Sequence, residues 1–236
     1  MDDIPSLLYR ARGLVSDWLR CARYATMPHR SALLEGARGL IHVGANLGQE
    51  RFQYAAAGVR VLWIEPIPEV FVRLSANVAR YSNQRAVNAL VTDRDDEWRE
   101  LHVTNNDGAS SSVMELAKHR VIWPRIRHVN SLRIQGATLP TLLARMGEDI
   151  ARYDVMAIDT QGSELLVLKG LGDDIRRFRR IQCEAADFEA YVGCCTVDSV
   201  SHHLRAHGFE EISRTRFAFR REIGSYFNLI FANTAR

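Results

Sequence analysis

His42-Val43-Gly44-Ala45-Asn46-Leu47-Gly48-Gln49, followed at a distance by Trp63-Ile64-Glu65-Pro66, is the stretch on which the reading of the chain turns. Leu40 to Val43 is a short apolar run, as a buried strand makes, and it breaks into a glycine-rich turn. Glycine lets the backbone turn tightly and approach a ligand closely. A helix is predicted from about Gln49 to Ala57, stopped by Gly58, and its start points free N–H groups at whatever lies before it. Val59 to Ile64 is the next strand, and Glu65 stands 21 residues after Gly44, at that strand's end. A carboxylate so placed accepts hydrogen bonds from ribose hydroxyls. The turn reads GxNxG and lacks the third glycine of the dinucleotide fingerprint. That spacing favours S-adenosylmethionine over a nicotinamide, because the methionine carboxylate can take the amide-rich loop where a pyrophosphate would sit. The candidate cofactor contacts here are His42, Gly44, Ala45, Asn46, Gly48, Gln49, Glu65 and Pro66.

Outward from this core the alternation continues. Pro68 opens a helix running to about Tyr81, and Ala86 to Val91 is a third strand, so this half reads β-α-β-α-β. That is the pattern of a parallel sheet covered on both faces. Trp98 to Thr104 alternates like a strand, Asn105 to Gly108 has turn chemistry, and Ala109 to Ser112 is a small polar loop. Residues 113 to 137 are irregular, mixing short apolar pieces with Arg and His. Then come a helix at Leu139–Met146, a buried strand at Val155–Ile158, a short helix at Leu165–Lys169 and a strand from Ile181. A helix at Val197–His207 leads to two final strands, Phe209–Phe219 and Tyr226–Ala232, read as an antiparallel pair. Residues 5 to 24 carry an amphipathic helical pattern. Residues 1–38 are therefore read as an N-terminal helical appendage and residues 39–236 as the main domain.

The 236 residues suffice for a sizeable core without disulfides. An apolar fraction of 47% and a charged fraction of 25% exclude a disordered, collagenous or coiled-coil chain. The net charge of +3 makes no demand for nucleic acid. No apolar run reaches the roughly 18 residues of a membrane span, and Met1-Asp2-Asp3 lacks the features of a secretory signal. Cys21, Cys183, Cys194 and Cys195 show no metal-ligand spacing and read as reduced thiols, so a cytoplasmic location is expected. His202, His203 and His207 read as a helix surface, since no HExxH accompanies them. Arg176, Arg177, Arg179 and Arg180 read as a solvated edge.

His42 to Gly48, Trp63-Ile64-Glu65-Pro66-Ile67-Pro68 and Ile158-Asp159-Thr160-Gln161-Gly162-Ser163-Glu164, with Val167-Leu168-Lys169-Gly170 after them, resemble the FkbM-type methyltransferase family. The resemblance covers about residues 38 to 232. It implies a class I, Rossmann-like α/β fold: a mostly parallel seven-stranded sheet with an antiparallel C-terminal strand. It also implies an S-adenosylmethionine-dependent O-methyltransferase acting on sugars or polyketide-type natural products. One position departs from the family, which usually has Asp where His42 stands. That acid orients the cofactor's amino end, and His42 could do so only as a neutral acceptor.

Methyl transfer is an in-line displacement, and a protonated alcohol is a poor nucleophile, so a positioned base helps. Asp159 follows the buried strand Val155–Ile158 and should reach the reactive centre; it is the first candidate base, and Glu184 the second. With Asp187 the two would form an oxygen set for Mg²⁺, if a divalent ion takes part. Gln161 and Asp159 border the cofactor, Asp93 is placed to read an adenine amino group, and Glu164 reads as a loop cap. Asn105, Asn106, Ser110, Ser111 and Ser112 suit a hydroxyl-rich acceptor, with Asp187 and Tyr191 bordering the same cleft. The expected partner is a small-molecule or glycan acceptor, free or nucleotide- or lipid-linked, and a homodimer stays open. An amino acceptor in nucleic acid would call for an Asn-Pro-Pro-Tyr-like strand end, and Asp159-Thr160-Gln161-Gly162 is not one. Two alternatives remain: another small-molecule O-methyltransferase, and a cofactor-binding assembly partner without catalysis.

Overall fold

Strands that are apolar on both sides belong at the middle of a parallel sheet. The computed structural model, which describes residues 32–235, places three such strands side by side. They are β1 (Gly39–Val43), β2 (Arg60–Glu65) and β7 (Val155–Ile158), buried throughout except at Arg60. β1 pairs in parallel with both others, Leu40 standing opposite Val61 and Val155. β3 (Gln84–Asn88) extends the sheet on one side and β8 (Arg180–Ala186) on the other. The chain then makes β9 (Phe209–Arg220) and returns as β10 (Gly224–Asn233), which slots between β8 and β9. The seven-stranded order is β3-β2-β1-β7-β8-β10-β9, and β10 runs antiparallel to both neighbours. This is the sheet the sequence led us to expect.

The middle of the chain differs from its reading. The expected third strand is two strands, β3 and β4 (Leu90–Val91). The backbone leaves the main sheet at Ala89, and β4 pairs instead with β6 (His128–Ala137). β6 also pairs antiparallel with β5 (Trp98–Thr104), giving a second, three-stranded sheet. β6 lies in the stretch read as irregular. Its inward positions, Leu132 and Ile134, are only half-buried, and polar groups dominate around them, which hides the alternation. The predicted helix over residues 5–24 lies outside the described residues.

Helices cover the main sheet according to its pleat. Ile41, Val43, Leu62, Ile64, Met156 and Ile158 point to one face. There they meet α4 (Leu139–Met146), α5 (Glu164–Gly170) and α6 (Val197–Ala206). Leu40, Val61, Trp63, Val155 and Ala157 point to the other face, against α1 (Arg51–Ala56) and α2 (Pro68–Val78). The helix α3 (His119–Ile122) lies between β5 and β6 in sequence. On β8 and β10 the pleat carries something else. Ile181, Cys183 and Leu229 enter the first core, whereas Gln182, Glu184 and Asn228 line a cavity on the second face. No helix among the described residues is long and apolar enough to cross a membrane.

The starts of β1 and β7 are tied by one carboxylate. Asp154 is 1% exposed and accepts the N–H groups of Arg38 (2.9 Å) and Gly39 (3.2 Å). Burial alone would raise its pKa, but these N–H groups and the Arg38 guanidinium hold it below the usual range. Asp154→Ala would leave both N–H groups without a partner in a buried place. We expect it to lower unfolding free energy by about 2 kcal/mol, read by urea denaturation. Asp154→Asn, which keeps an acceptor oxygen, should lose less.

Candidate active site

The glycine turn after β1 is shaped by close backbone packing. Gly44 has φ +79°, and a Cβ on it would stand 1.8 Å from the Asp159 carbonyl oxygen, so only glycine fits. The Gly44 and Ala45 N–H groups donate to the Ile64 carbonyl at 3.0 and 3.1 Å, which draws the turn over β2. Asn46 takes a left-handed φ of 44° and turns its N–H onto Glu65 Oε2 at 2.8 Å. The Ile67 N–H donates to Glu65 Oε1 at 2.9 Å. Each Glu65 oxygen thus spends one lone-pair site on backbone and keeps another for a ligand. Burial pushes the Glu65 pKa up to about 7 despite the two N–H bonds.

A cavity of about 250 Å³ lies between this turn and the second sheet. Its lining includes Gly44, Ala45, Asn46, Gln49, Glu65 and Asp159. It also includes the apolar side chains of Ile67, Leu90, Leu101 and Val113. A lining that joins apolar side chains to a carboxylate can hold a nucleoside, the base against the first and the sugar at the second.

Two half-buried carboxylates follow from the neighbouring strand ends. Asp159 comes directly after β7, and Glu184 lies near the end of β8. The Gln161 amide bridges them, donating to Asp159 Oδ1 at 2.6 Å and to Glu184 Oε1 at 3.2 Å. Gln161 has a left-handed φ of 53°, a cost borne where its side chain is needed. The Tyr191 hydroxyl fixes the amide's orientation by donating to Gln161 Oε1 at 2.8 Å, with the Ser110 carbonyl at 3.2 Å beside the same proton. Glu164 holds the loop from beneath, accepting the N–H groups of Thr160 (2.8 Å) and Gly162 (3.1 Å) and the Cys195 thiol. Burial raises the Asp159 pKa to about 7, with Gln161 opposing and nearby Glu164, Glu50 and Glu65 adding. Burial and then the Asp159 charge push Glu184 well above the carboxylate range. Such a pair titrates as a unit, its protons shared between the two carboxyls.

Asp159 and Glu50 also line a second cavity, of about 400 Å³, on the other face of the sheet. Its described walls include Gln182, Glu184, Asn228, Ser213 and Thr215, together with His42 and Phe217. Among the described residues lining the two cavities there is no lysine or arginine.

The structure gathers part of the expected set and disperses the rest. Gly44, Ala45, Asn46, Gln49, Glu65, Pro66, Ser111, Asp159 and Gln161 line the first cavity. His42 is on the opposite face, neutral because burial lowers its pKa, stacked on Trp63 and 3.2 Å from the Tyr54 hydroxyl. Gly48 packs against Leu74. Asp93 is engaged by Arg99 at 3.1 Å, and the first cavity is lined by Ala89 to Val91 instead. Asn105 spends its amide on Arg125 and Arg127 backbone, and Asn106 spends its own on Thr104 and Ser110. Ser110 and Ser112 are buried. Tyr191 acts through Gln161. Asp187 accepts the Ser225 N–H at 2.7 Å and is not among the residues lining either cavity. A cation shared by Asp159, Glu184 and Asp187 does not fit these residues. Gln161 aims N–H donors at the first two carboxylates, and the third is turned to backbone. The reading missed Gln182, Ser213, Thr215 and Asn228. The polar alternation of Gln182 and Glu184 between Ile181, Cys183 and Ala185 is the signal that could have found the first of them.

Residues 42–211 match the model of the methyltransferase FkbM domain. The AMB antimetabolite synthetase AmbE of Pseudomonas aeruginosa is 28% identical over 201 residues, covering 72% of this chain and 9% of that protein. The solved METTL16 MTase domain is 15% identical with a TM-score of 0.51, covering 86% of this chain and 64% of that one. The chain thus spans less than two thirds of either relative's length. At such identity the second likeness concerns the fold, and it agrees with the class I sheet order described above.

A carboxyl whose pKa is higher folded than unfolded stabilises least at high pH. Its burden is absent below the ordinary value of 4.5, grows as pH rises from there toward the folded pKa, and is complete above it. Glu184→Gln keeps an oxygen for Gln161 and removes that titration. We expect the variant to melt above the parent at pH 8, with the difference shrinking toward pH 5. A variant less stable than the parent at both pH values would contradict the raised pKa.

Proposed function

The chain belongs to the FkbM methyltransferase family, and we propose that it moves a methyl group from S-adenosylmethionine to a hydroxyl oxygen of a neutral, hydroxyl-rich acceptor such as a sugar or related natural product. The observation that carries this reading is the charge of the lining. Glu50, Glu65 and Asp159 face the first cavity, and no described lysine or arginine balances them. A pyrophosphate cofactor would be repelled there, whereas a ligand with sulfonium and ammonium charges is complementary. S-adenosylmethionine, when bound, supplies an electrophilic methyl on such a sulfonium.

The chain's own residues divide the remaining work. Glu65 holds the ribose hydroxyls with its free lone-pair sites, and Ile67, Leu90, Leu101 and Val113 sandwich the base. The acceptor fits the second cavity, because Asp159 and Glu50 are common to both and mark where the two ligands meet. Gln182, Asn228, Ser213 and Thr215 offer amides and hydroxyls to a polyol. The acidic walls disfavour a phosphate at the reacting end. Asp159, with one oxygen held by Gln161, accepts the proton of the attacking hydroxyl. A base with a pKa near 7 is half-ionised at neutral pH and still basic enough to matter.

Two measurements test this. Glu65→Ala should weaken S-adenosylmethionine binding by about tenfold or more, since each charge-assisted bond contributes about 1.5–3 kcal/mol. Parent affinity should strengthen as pH rises through about 7, where Glu65 ionises. Calorimetry that finds unchanged affinity in a folded Glu65→Ala protein would overturn the cofactor assignment. With saturating cofactor, turnover on a hydroxyl acceptor should rise with pH through about 7. Asp159→Asn should flatten that limb and lower kcat by about 10²–10⁴. Near-parent turnover in Asp159→Asn would remove it as the base.

A further inference from the structure

Three side chains outside both cavities meet in an arrangement that hydrogen bonding does not explain. His102 is on β5, His128 begins β6, and Glu115 lies on the segment between those strands. The two imidazoles stack with centroids 4.9 Å apart and planes 17° from parallel. One Glu115 oxygen is 3.5 Å from His102 Nε2 and the other is 3.5 Å from His128 Nδ1. Both contacts exceed the roughly 2.7–3.2 Å of an N–H···O bond. His128 Nε2 is buried and lacks a hydrogen-bond partner, and its Nδ1 is the ring atom turned to Glu115.

The separations do suit ligands around one ion. One donor atom from each residue lies within 4.8 Å of the other two. At metal–ligand distances of about 2.0–2.1 Å, tetrahedral ligands stand about 3.4 Å apart. Each Glu115 oxygen stands 3.5 Å from one imidazole nitrogen, so whichever oxygen binds is already near that spacing from one histidine. Two imidazoles with one carboxylate are a borderline-soft donor set, suited to zinc and unlike the all-oxygen shells of magnesium or calcium. The Glu115 side chain is 61% exposed, so the cluster can be reached from solvent.

We infer that His102, Glu115 and His128 form a site for a divalent ion of the zinc type, with three protein ligands and a fourth position open to water. The site would act as a clip beside the cleft. Val113, which lines the first cavity, lies two residues before Glu115. The Glu115 carbonyl accepts the Val192 N–H at 2.8 Å, and Leu116 bridges Tyr191, whose hydroxyl holds Gln161. An ion at the cluster would fasten this segment to β5 and β6 and so fix one wall of the cofactor cavity. The competing location is His203 and His207, whose rings lie 4.4 Å apart one helical turn on, with no carboxylate gathered beside them among the described residues.

The test uses the full chain, treated with chelator, dialysed and titrated with Zn²⁺ by calorimetry. We expect one ion per chain with a Kd on the order of 1 µM or tighter, and a rise in melting temperature on loading. His128→Ala and Glu115→Ala should each weaken binding by more than roughly 100-fold, beyond the loss that follows removal of a ligand's mere hydrogen-bond supporter. His207→Ala should bind as the parent does. Glu115 is exposed enough for its replacement to leave the fold intact, so that variant decides the matter if His128→Ala does not fold. Absence of saturable binding, parent-like affinity in Glu115→Ala, or loss of binding in His207→Ala would each overturn the inference.

Discussion

A single close approach organises the site: the Asp159 carbonyl oxygen occupies the space that a Cβ on Gly44 would need. It sets the turns after β1 and β7 against each other, at the end of the sheet where strand carboxyl ends converge. From that contact the rest follows by register. Gly44 and Ala45 are drawn over β2 through Ile64, Asn46 turns its N–H to Glu65, and Asp159 stands at the wall common to both cavities. Glu65, Asp159 and Glu184 therefore hang from strands of one sheet whose spacing is fixed by hydrogen bonding.

Around this contact the chain concentrates negative charge that it only partly compensates. Glu164 is answered by backbone N–H groups and a thiol, and Glu65 by two N–H groups. Asp159 and Glu184 have one amide between them. A site built for stability alone would replace such groups with apolar ones. The missing positive charge is better supplied by a ligand, whose arrival relieves repulsion that the folded chain carries by itself. Selectivity then comes from sign as much as from shape, since anionic molecules of similar size meet acidic walls in both cavities.

Much of this was legible in the residues. Gly44, Glu65 and Asp159 announced themselves because each sits where an apolar run ends, and strand ends are easy to find when both faces of a strand are buried. The sheet's parallel half was readable for the same reason. β6 was not, because its inward residues are few and its outward ones polar. The fates of Asn105, Asn106 and Asp93 were not readable either. An Asn or Asp in a loop has the same chemistry whether it waits for a ligand or is spent on neighbouring backbone or an Arg99 guanidinium, and only the fold distinguishes the two. The second cavity was hidden because its walls come from both ends of the described chain: His42, Gln53 and Tyr54 from β1 and α1, and Gln182, Ser213, Thr215 and Asn228 from β8, β9 and β10, brought together by tertiary pairing.

That last strand has a consequence for the order of assembly. β9 joins the main sheet only through β10, and β10 is made after it. Until β10 has inserted, β8 keeps an open edge, and Ser213 and Thr215 have nothing to hold them near Glu184. As the chain leaves the ribosome, the strands that border the first cavity can already pair, while the second cavity still lacks the walls that β9 and β10 supply. The second cavity is thus the last part of the site to be walled in, closed by the pairing of β10 with β8.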